Sequence, residues 1–292
     1  MLFSKTSKKI FAINKFMLPE SRLYSFIDQN EGFTLNFLEG QKLIQELAVI
    51  HSVIGEGFRY FRDAILSFQQ MITYLKSGEG LGIYIDSNEP YFKLKLEMSD
   101  QGQMRTLLLP EDFNQFPKEI TGSCRVVKLH PGDSQPYTSI IKLVNSDFHS
   151  TVNQVLTQSY QVRSQIFLSE DSDQSVMLTK LPKVHIDKEE FTESIPLPTY
   201  WNRIKDAVNE IFARGLTDEV EIIKSIESLG LLYIGSKEVK FQCSCSKERM
   251  LSGIKSIANS AGIGHVFGVD EDFIETKCDY CKLNYIIYRE EV

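Results

Sequence analysis

The sequence predicts an α+β fold, in which a mixed core of helices and strands is followed by a helical linker and a small cysteine-bearing module. Along the first 181 residues the spacing of apolar residues changes from helical to alternating, so helices and strands are grouped rather than interleaved. Four of the five cysteines lie in two close pairs near the carboxy terminus. The 292 residues suffice for two units, because single cores rarely grow beyond about 250 residues.

The composition is that of a soluble globular chain, with 42% hydrophobic and 24% charged residues. The formal net charge of −7 opposes the phosphate backbone of DNA or RNA, so we expect no nucleic-acid partner. No apolar run approaches the roughly 20 residues that a membrane-spanning helix needs, and no secretory signal is recognisable. We therefore expect an intracellular protein without a membrane partner.

Residues 1–19 are predicted to form an amino-terminal extension outside the core. Residues 1–18 carry four lysines and no acidic residue. An organelle-targeting segment is one interpretation, but such segments are rich in arginine, which is missing here. A plain basic extension is the expectation that the composition favours.

Residues 20–181 are predicted to form the α+β core. Apolar residues recur at helical spacing between 41 and 77, which predicts two helices broken near Gly55 and Gly57. Alternating apolar residues then predict strands that are separated by turn residues. These strands are predicted at 80–86, 91–98, 103–109, 123–129 and 137–144. A helix at 147–161 and strands at 163–169 and 175–181 complete the predicted core.

Residues 182–240 are predicted to form a helical linker, because the charged fraction rises and prolines interrupt the start of this segment. One amphipathic helix is predicted to end at Gly215. A second is predicted to be capped by Thr217 and to stop at Gly230. Both helices carry apolar stripes, which need a partner surface to cover them.

Residues 241–292 contain the sequences FQCSCSKER and KCDYC, separated by a spacer of 32 residues between the two cysteine pairs. Zinc takes four soft ligands in a tetrahedron, and paired cysteines on tight turns supply these ligands two at a time. The sequence therefore predicts one zinc ion held by Cys243, Cys245, Cys278 and Cys281. A zinc site that only stabilises a small domain is an open alternative. Disulfides are the weaker one, because cytosolic thiols are kept reduced.

Other candidate residues are weaker candidates for a reactive thiol or a metal ligand. Cys124 lies in a predicted strand and is expected to be a buried structural thiol. His265 lies between the cysteine pairs, but four sulfurs already complete a tetrahedron. No nucleophile elbow and no helical zinc-protease motif occurs, so we expect no catalytic residue and no enzyme activity.

The cysteine motifs carry a resemblance to a known family. The run C-S-C-S-K-E-R from Cys243, and C-D-Y-C-K-L-N-Y from Cys278, resemble the signature of heat-shock protein 33, a bacterial redox-regulated chaperone. The order of core, linker and zinc module is also similar, so the resemblance covers the chain from about Glu20 to its end. The match is weaker in the core, where Thr106 stands in place of a glycine that is common in the family.

The resemblance implies a cytoplasmic, ATP-independent holding chaperone that responds to heat and oxidative stress. Such a protein is inactive while reduced and zinc-bound, and it acts as a homodimer once oxidised. By resemblance, Cys243 would pair with Cys245 and Cys278 with Cys281 as zinc leaves. The implied partners are unfolded or partly folded client proteins, with ATP-dependent refolding chaperones acting downstream.

Zinc loss would unfold the small module, because structural zinc contributes on the order of 10 kcal/mol of apparent binding energy. We expect the linker stripes to lose their cover at the same time and to bind clients. The client-binding residues expected on these stripes are Trp201, Ile204, Val208, Ile211, Phe212, Ile222, Ile223, Ile226 and Leu229. Two rival functions stay open: a binding protein with a purely structural zinc, and a thiol-disulfide oxidoreductase.

Overall fold

The computed structural model describes residues 18–133, 135–182 and 195–292, and these form two large sheets, a two-stranded hairpin and six α-helices. The first part of the chain contains β1 Arg22–Asp28, β2 Phe33–Glu39, α1 Gln41–His51, α2 Gly55–Phe68, β3 Gly80–Glu89, β4 Tyr91–Ser99, β5 Gln103–Leu109, β6 Ile120–Leu129, β7 Tyr137–Ser146, α3 Phe148–Gln154, β8 Arg163–Leu168 and β9 Gln174–Lys180. The second part contains α4 Leu197–Arg214, α5 Glu219–Glu227, β10 Leu232–Glu238, β11 Lys240–Phe241, α6 Lys247–Ala261, β12 Phe273–Lys277 and β13 Asn284–Tyr288.

The two large sheets share one hydrophobic core. The first sheet has the strand order β10-β1-β2-β9-β8 and the second has the order β11-β5-β4-β3-β6-β7. Strand pairs are antiparallel except for the short parallel pair of β11 with β5. The helices α1, α2 and α3 pack with side chains from both sheets in one buried cluster.

A second buried cluster lies on the other face of the first sheet. Alternation along β1 assigns Leu23 to the shared core and Tyr24 and Phe26 to this second cluster. The strands β2 and β9 add further apolar residues to this cluster, and the helices α4 and α5, with Leu216 and Leu231 just after them, pack against the strands. The first sheet is therefore apolar on both faces, and the linker helices cover one of them.

The predicted core elements are confirmed. The two helices predicted between 41 and 77 are α1 and α2, and Gly55 at the start of α2 has a φ of +59°. The predicted strands correspond to β3–β7, β8 and β9, and the helix predicted at 147–161 is α3, which continues into a π-helical turn. The strand β4 shows why the pattern was sufficient, since Phe92, Leu94, Leu96 and Met98 all face the core.

The linker differs from its prediction in three details. The range 182–240 is not helical throughout, because β10 lies within it and pairs with β1 at the edge of the first sheet. The cap of α5 is Asp218 rather than Thr217: its carboxylate accepts the backbone N–H of Glu221 at 3.0 Å. The helix ends at Glu227, before the predicted stop at Gly230. The division of the chain at 181 and 240 stays a prediction.

The amino-terminal extension predicted at 1–19 lies almost entirely outside the described residues. Among the helices of the described ranges, none combines the length and the apolar character that crossing a bilayer requires.

Candidate metal centre

Two tight turns present the four cysteines. Cys243 and Cys245 follow β11 directly and precede α6, whose cap is Ser246. Cys278 and Cys281 lie in the turn that joins β12 to β13. That turn is closed by the backbone N–H of Lys282, which donates to the carbonyl of Cys278 at 2.8 Å.

The four sulfurs form a single cluster in which all Sγ atoms lie within 4.8 Å of one another. The Sγ atoms of Cys243 and Cys278 are 3.7 Å apart, and those of Cys245 and Cys281 are 3.2 Å apart. A tetrahedral zinc site with Zn–S bonds of about 2.3 Å requires sulfurs about 3.8 Å apart. The residues present therefore fit a four-coordinate metal ion, and all four are free cysteines.

Hydrogen bonding makes Cys245 more acidic than an ordinary thiol. Burial opposes its charged form, but hydrogen bonds from the Tyr285 hydroxyl and from the neighbouring sulfurs lower the pKa of Cys245 to about 7. Burial instead raises the pKa of Cys243 and of Cys281. Four sulfurs this close cannot all be charged without a cation among them, which is the role that a divalent metal ion would fill.

Tyr285 is the hydrogen-bond partner of this site that the sequence did not reveal. Its hydroxyl lies 3.0 Å from the Sγ of Cys245. Alternation along β13 directs Tyr285 toward the cysteines, whereas its neighbours Asn284 and Ile286 are exposed. A hydroxyl that donates to a ligand sulfur orients the ligand and reduces its reactivity.

The cysteine turns dock directly onto the second sheet. Tyr280, between Cys278 and Cys281, donates its hydroxyl hydrogen to Oε1 of Glu97 at 2.9 Å. Glu97 also accepts from Nε of Arg105 at 2.6 Å. The guanidinium of Arg105 in turn donates to Oγ of Ser244 at 3.2 Å. Arg105 of the core therefore contacts both cysteine turns, one through Ser244 and one through Tyr280.

Charge and burial set the electrostatics of this contact. Burial disfavours the charged form of Glu97, but the Arg105 guanidinium outweighs it and holds the pKa of Glu97 below its usual value. A second contact joins Lys282 to Glu111 at 2.5 Å. The backbone adds a third, since the N–H of Gln242 donates to the carbonyl of Met104 at 2.8 Å.

Cys124 and His265 both lie outside the sulfur cluster, as the sequence predicts. Cys124 is fully buried in β6, and burial raises its pKa to about 12, so it is a structural thiol. His265 is exposed in a short 3-10 turn and is not among the residues of the sulfur cluster.

The residues predicted to bind clients face the first sheet from α4, from α5 and, for Leu229, from the turn after α5. Ile204, Val208, Ile211, Phe212, Ile222 and Ile226 are buried there, and Trp201, Ile223 and Leu229 are partly buried against the same cluster. The ring of Trp201 stacks on Phe167 with centroids 3.5 Å apart. In this state the nine residues are therefore covered rather than available.

The sequence did not predict that sheet residues form an apolar face beneath these helices. These sheet residues are Tyr24, Phe26, Phe33, Leu35, Phe37, Val176 and Leu178. The alternating run FTLNFLE of β2 carries a signal for them, but only the sheet order shows that they form one apolar face.

Comparisons with known proteins agree with this geometry. The family model described as Hsp33 protein matches residues 21–288. The 33 kDa chaperonin of Limosilactobacillus fermentum is 25% identical over 94% of this chain and 97% of its own length. That of Thermosipho melanesiensis is 23% identical over 76% of this chain and 80% of its own.

A solved structure supports the fold. The crystal structure of the Thermotoga maritima 33 kDa chaperonin, a heat shock protein 33 homologue, covers 94% of this chain and 96% of its own with a TM-score of 0.66. At 12% sequence identity this likeness concerns the fold alone. The family assignment depends on the model that matches most of the sequence, and the chain belongs to the Hsp33 family of chaperones.

Proposed function

We propose that this protein is a redox-switched, ATP-independent holding chaperone that is inactive while its four cysteines bind zinc. The observation that carries the proposal is the combination of two features. A sulfur cluster with the geometry of a metal site is docked on the core, and helices just before it cover an apolar sheet face. Oxidation of the cysteines is proposed to release the metal and to uncover that face.

The cysteines are proposed to act as the sensor. Bound zinc would keep the four sulfurs as thiolates, the form that oxidants attack. Each disulfide forms from two thiolates that give up two electrons, and one peroxide molecule takes up these electrons with two protons to form two water molecules. We propose the pairs Cys243–Cys245 and Cys278–Cys281, by resemblance to the family. The sulfur contacts of 3.7 and 3.2 Å instead join the two turns, so mapping the disulfides decides between the pairings.

The module is proposed to unfold when its metal is lost. Across residues 241–292, all of which the structure describes, the buried residues are Ile254, Phe267, Cys278 and Ile287. A core of this size does not offset the conformational entropy of about fifty ordered residues, which costs on the order of 1 kcal/mol each for the backbone alone. The binding energy of the metal is therefore proposed to supply the stability that the small apolar core lacks.

Loss of the module is proposed to propagate into the linker through the chain itself. The strand β11 and the contacts of Arg105 hold the cysteine turns on the second sheet. The strand β10 ends two residues before β11, at Glu238, and α5 lies immediately before β10. A module that leaves the core therefore removes the anchor from the carboxy-terminal end of the linker.

Client binding is proposed to use the surfaces that then separate. One is formed by the nine residues named above, on α4, α5 and the turn after α5, and the other is the face of the first sheet that they cover. Both are rich in aromatic and branched aliphatic side chains, which bind the exposed apolar segments of unfolding proteins.

The remaining features of the proposal come from the family resemblance. We propose a cytoplasmic protein that forms a homodimer when active and passes its clients to ATP-dependent refolding chaperones. Catalytic turnover is not part of the proposal.

The test compares reduced and peroxide-treated protein for metal content, free thiols and suppression of aggregation of a heat-unfolding reporter enzyme. The proposal expects one zinc ion per chain and no suppression before oxidation, then loss of metal and four thiols together with a gain in suppression. Equal suppression in both states would support a purely structural zinc. Catalytic reduction of insulin disulfides would instead support an oxidoreductase.

A further inference from the structure

The strand β10 is attached to the first sheet mainly through its backbone. It pairs antiparallel with β1 from Arg22↔Glu238 to Ile27↔Leu232. None of its seven residues is buried, and Leu232 and Ile234 are 54% and 59% exposed. Its one aromatic contact places the rings of Tyr233 and Phe26 5.6 Å apart. Leu231 and Val239, at its two ends, are 1% exposed, so β10 leaves only when the linker and the cysteine module free both ends. Between these ends, little buried apolar surface holds the strand.

The strand β1 beneath it is fixed independently of β10. Its other edge pairs with all seven residues of β2. Leu23, Tyr24 and Phe26 are buried, with one side chain in the shared core and two in the second cluster. If β10 leaves, β1 stays in the sheet and presents a row of unpaired N–H and C=O groups at the sheet edge.

The half of β10 nearest the cysteine module fits this edge poorly. Lys237 lies opposite Leu23, and Gly235 lies opposite Ser25. Gly235 has a φ of +155° next to a register shift. A groove beside these residues is lined on one side by Leu23, Ser25, Ile72 and Thr73 and on the other side by residues 234–237 of β10 itself. A strand with an apolar side chain in place of Lys237, opposite Leu23, would bury more apolar surface than β10 does there.

We infer that the edge of β1 is a client-binding site of its own, at which an extended segment of an unfolding protein pairs antiparallel with Arg22–Asp28 in place of β10. The inference rests on the proposed function, because that function supplies the release of β10. Its occupant is an unfolded polypeptide with apolar residues at alternate positions. Backbone hydrogen bonds suit a chaperone that accepts many sequences, since every client offers them.

A second copy of this chain is the weaker candidate for this edge. The β10 of another copy has the same glycine and lysine opposite β1, and it buries no more surface than the tethered strand. A client segment with a large apolar residue opposite Leu23 gains contact with the core side of the groove, which Lys237 of β10 does not supply. The geometry therefore favours exchange with a client over exchange between copies.

The experiment uses full-length oxidised and reduced protein with a fluorescent peptide of residues 231–239. A matched control peptide carries proline in place of Ser236 and Lys237. Neighbouring strand positions alternate in their hydrogen bonding, so one of these prolines removes a bond to β1. We expect the oxidised protein to bind the first peptide at least tenfold more tightly than the reduced protein, and to lose this preference with the control. A peptide with leucine for Lys237, opposite Leu23, should bind more tightly still.

A photoreactive phenylalanine analogue at the position of Tyr233 locates the site. Cross-links within residues 22–28 are expected, and cross-links confined to α4 and α5 would overturn the inference. Equal binding of the proline peptide would overturn it as well. So would peptide binding that only accompanies dissociation of a dimer, since a second copy would then fill the edge. If the oxidised protein fails to suppress aggregation at all, the proposed function itself is wrong.

Discussion

Arg105 in the second sheet stacks on Tyr280 in the cysteine-bearing turn, with its guanidinium carbon 4.4 Å from the ring centroid. The same guanidinium is held by Glu97 and contacts Ser244 in the other cysteine turn. One core residue therefore joins both halves of the metal centre to a sheet that does not depend on the metal.

Replacing Arg105 with glutamine should weaken this docking. Hydrogen bonds to charged partners contribute about 1.5–3 kcal/mol each, and changes beside metal ligands lower metal affinity about 10- to 100-fold. We expect faster transfer of metal to a chromophoric chelator and earlier proteolysis of the module. Arg59→Gln is the matched control, because Arg59 stacks on Phe116 and shares no partner with the contact between Arg105 and the cysteine turns. Identical metal-transfer rates for the two variants would contradict a docking role.

Tyr285→Phe should make the metal centre more sensitive to oxidant. The substitution removes the hydroxyl that lies 3.0 Å from the Sγ of Cys245 and leaves the ring in place. The sulfur loses a hydrogen bond that reduces its reactivity, so metal release at a fixed peroxide concentration should accelerate about tenfold. Tyr91→Phe provides the control, because Tyr91 begins β4 and its side chain is exposed. Unchanged release kinetics would show that the hydroxyl does not tune the site.

Phe212→Ala should open the linker without oxidation. Phe212 is 4% exposed and packs on Phe37 of the first sheet with centroids 6.1 Å apart, so truncation should cost about 3–5 kcal/mol of packing. We expect the reduced variant to keep its metal and yet to suppress client aggregation. Asn209→Ala, on the exposed side of the same helix, should behave like the parent protein. If the linker of the variant is open but the variant still needs oxidant to suppress aggregation, then opening the linker is not sufficient for client binding, and the account is contradicted.

His51 should make stability depend on pH. Burial, and then the charge of Lys282, lower its pKa to about 4 from an ordinary value of 6.5. Protonation therefore favours the unfolded chain, and the stability present above pH 6.5 should be lost progressively as the pH falls toward 4. The loss should reach about 3 kcal/mol, at 1.36 kcal/mol per unit.

His51→Leu isolates this contribution in urea unfolding at pH 7 and pH 5. Between these pH values the variant should lose less stability than the parent, because it lacks the imidazole. Protonation at the metal site affects both proteins equally and cancels in the comparison. Parallel losses in the two proteins would assign the pH dependence to other groups.

The sequence was sufficient to predict those features that a local pattern of residues determines. The alternation of Phe92, Leu94, Leu96 and Met98 predicts β4 because each apolar residue must face the core. The four cysteines predict a metal centre for a similar reason, since two close pairs place sulfurs on two tight turns. These features need no information about distant parts of the chain.

The features that were missed depend on residues far apart in sequence. The strand β10 has no buried face, and pairing with β1 about 200 residues earlier determines its conformation. The contact between Glu97 and Tyr280 spans 183 positions and has no local pattern. Thr217 and Asp218 are both good helix caps, so only the backbone geometry identifies Asp218.

The central claim is that the state of the four cysteines determines whether the linker covers the first sheet. Hydrogen exchange, followed by mass spectrometry in reduced and peroxide-treated protein, tests it most directly. The account predicts that amides of α4, α5 and β10 lose protection on oxidation, while those of β3, β4 and β6 keep theirs. Equal protection of α4, α5 and β10 in the two states, in a protein that has released its metal, would contradict it.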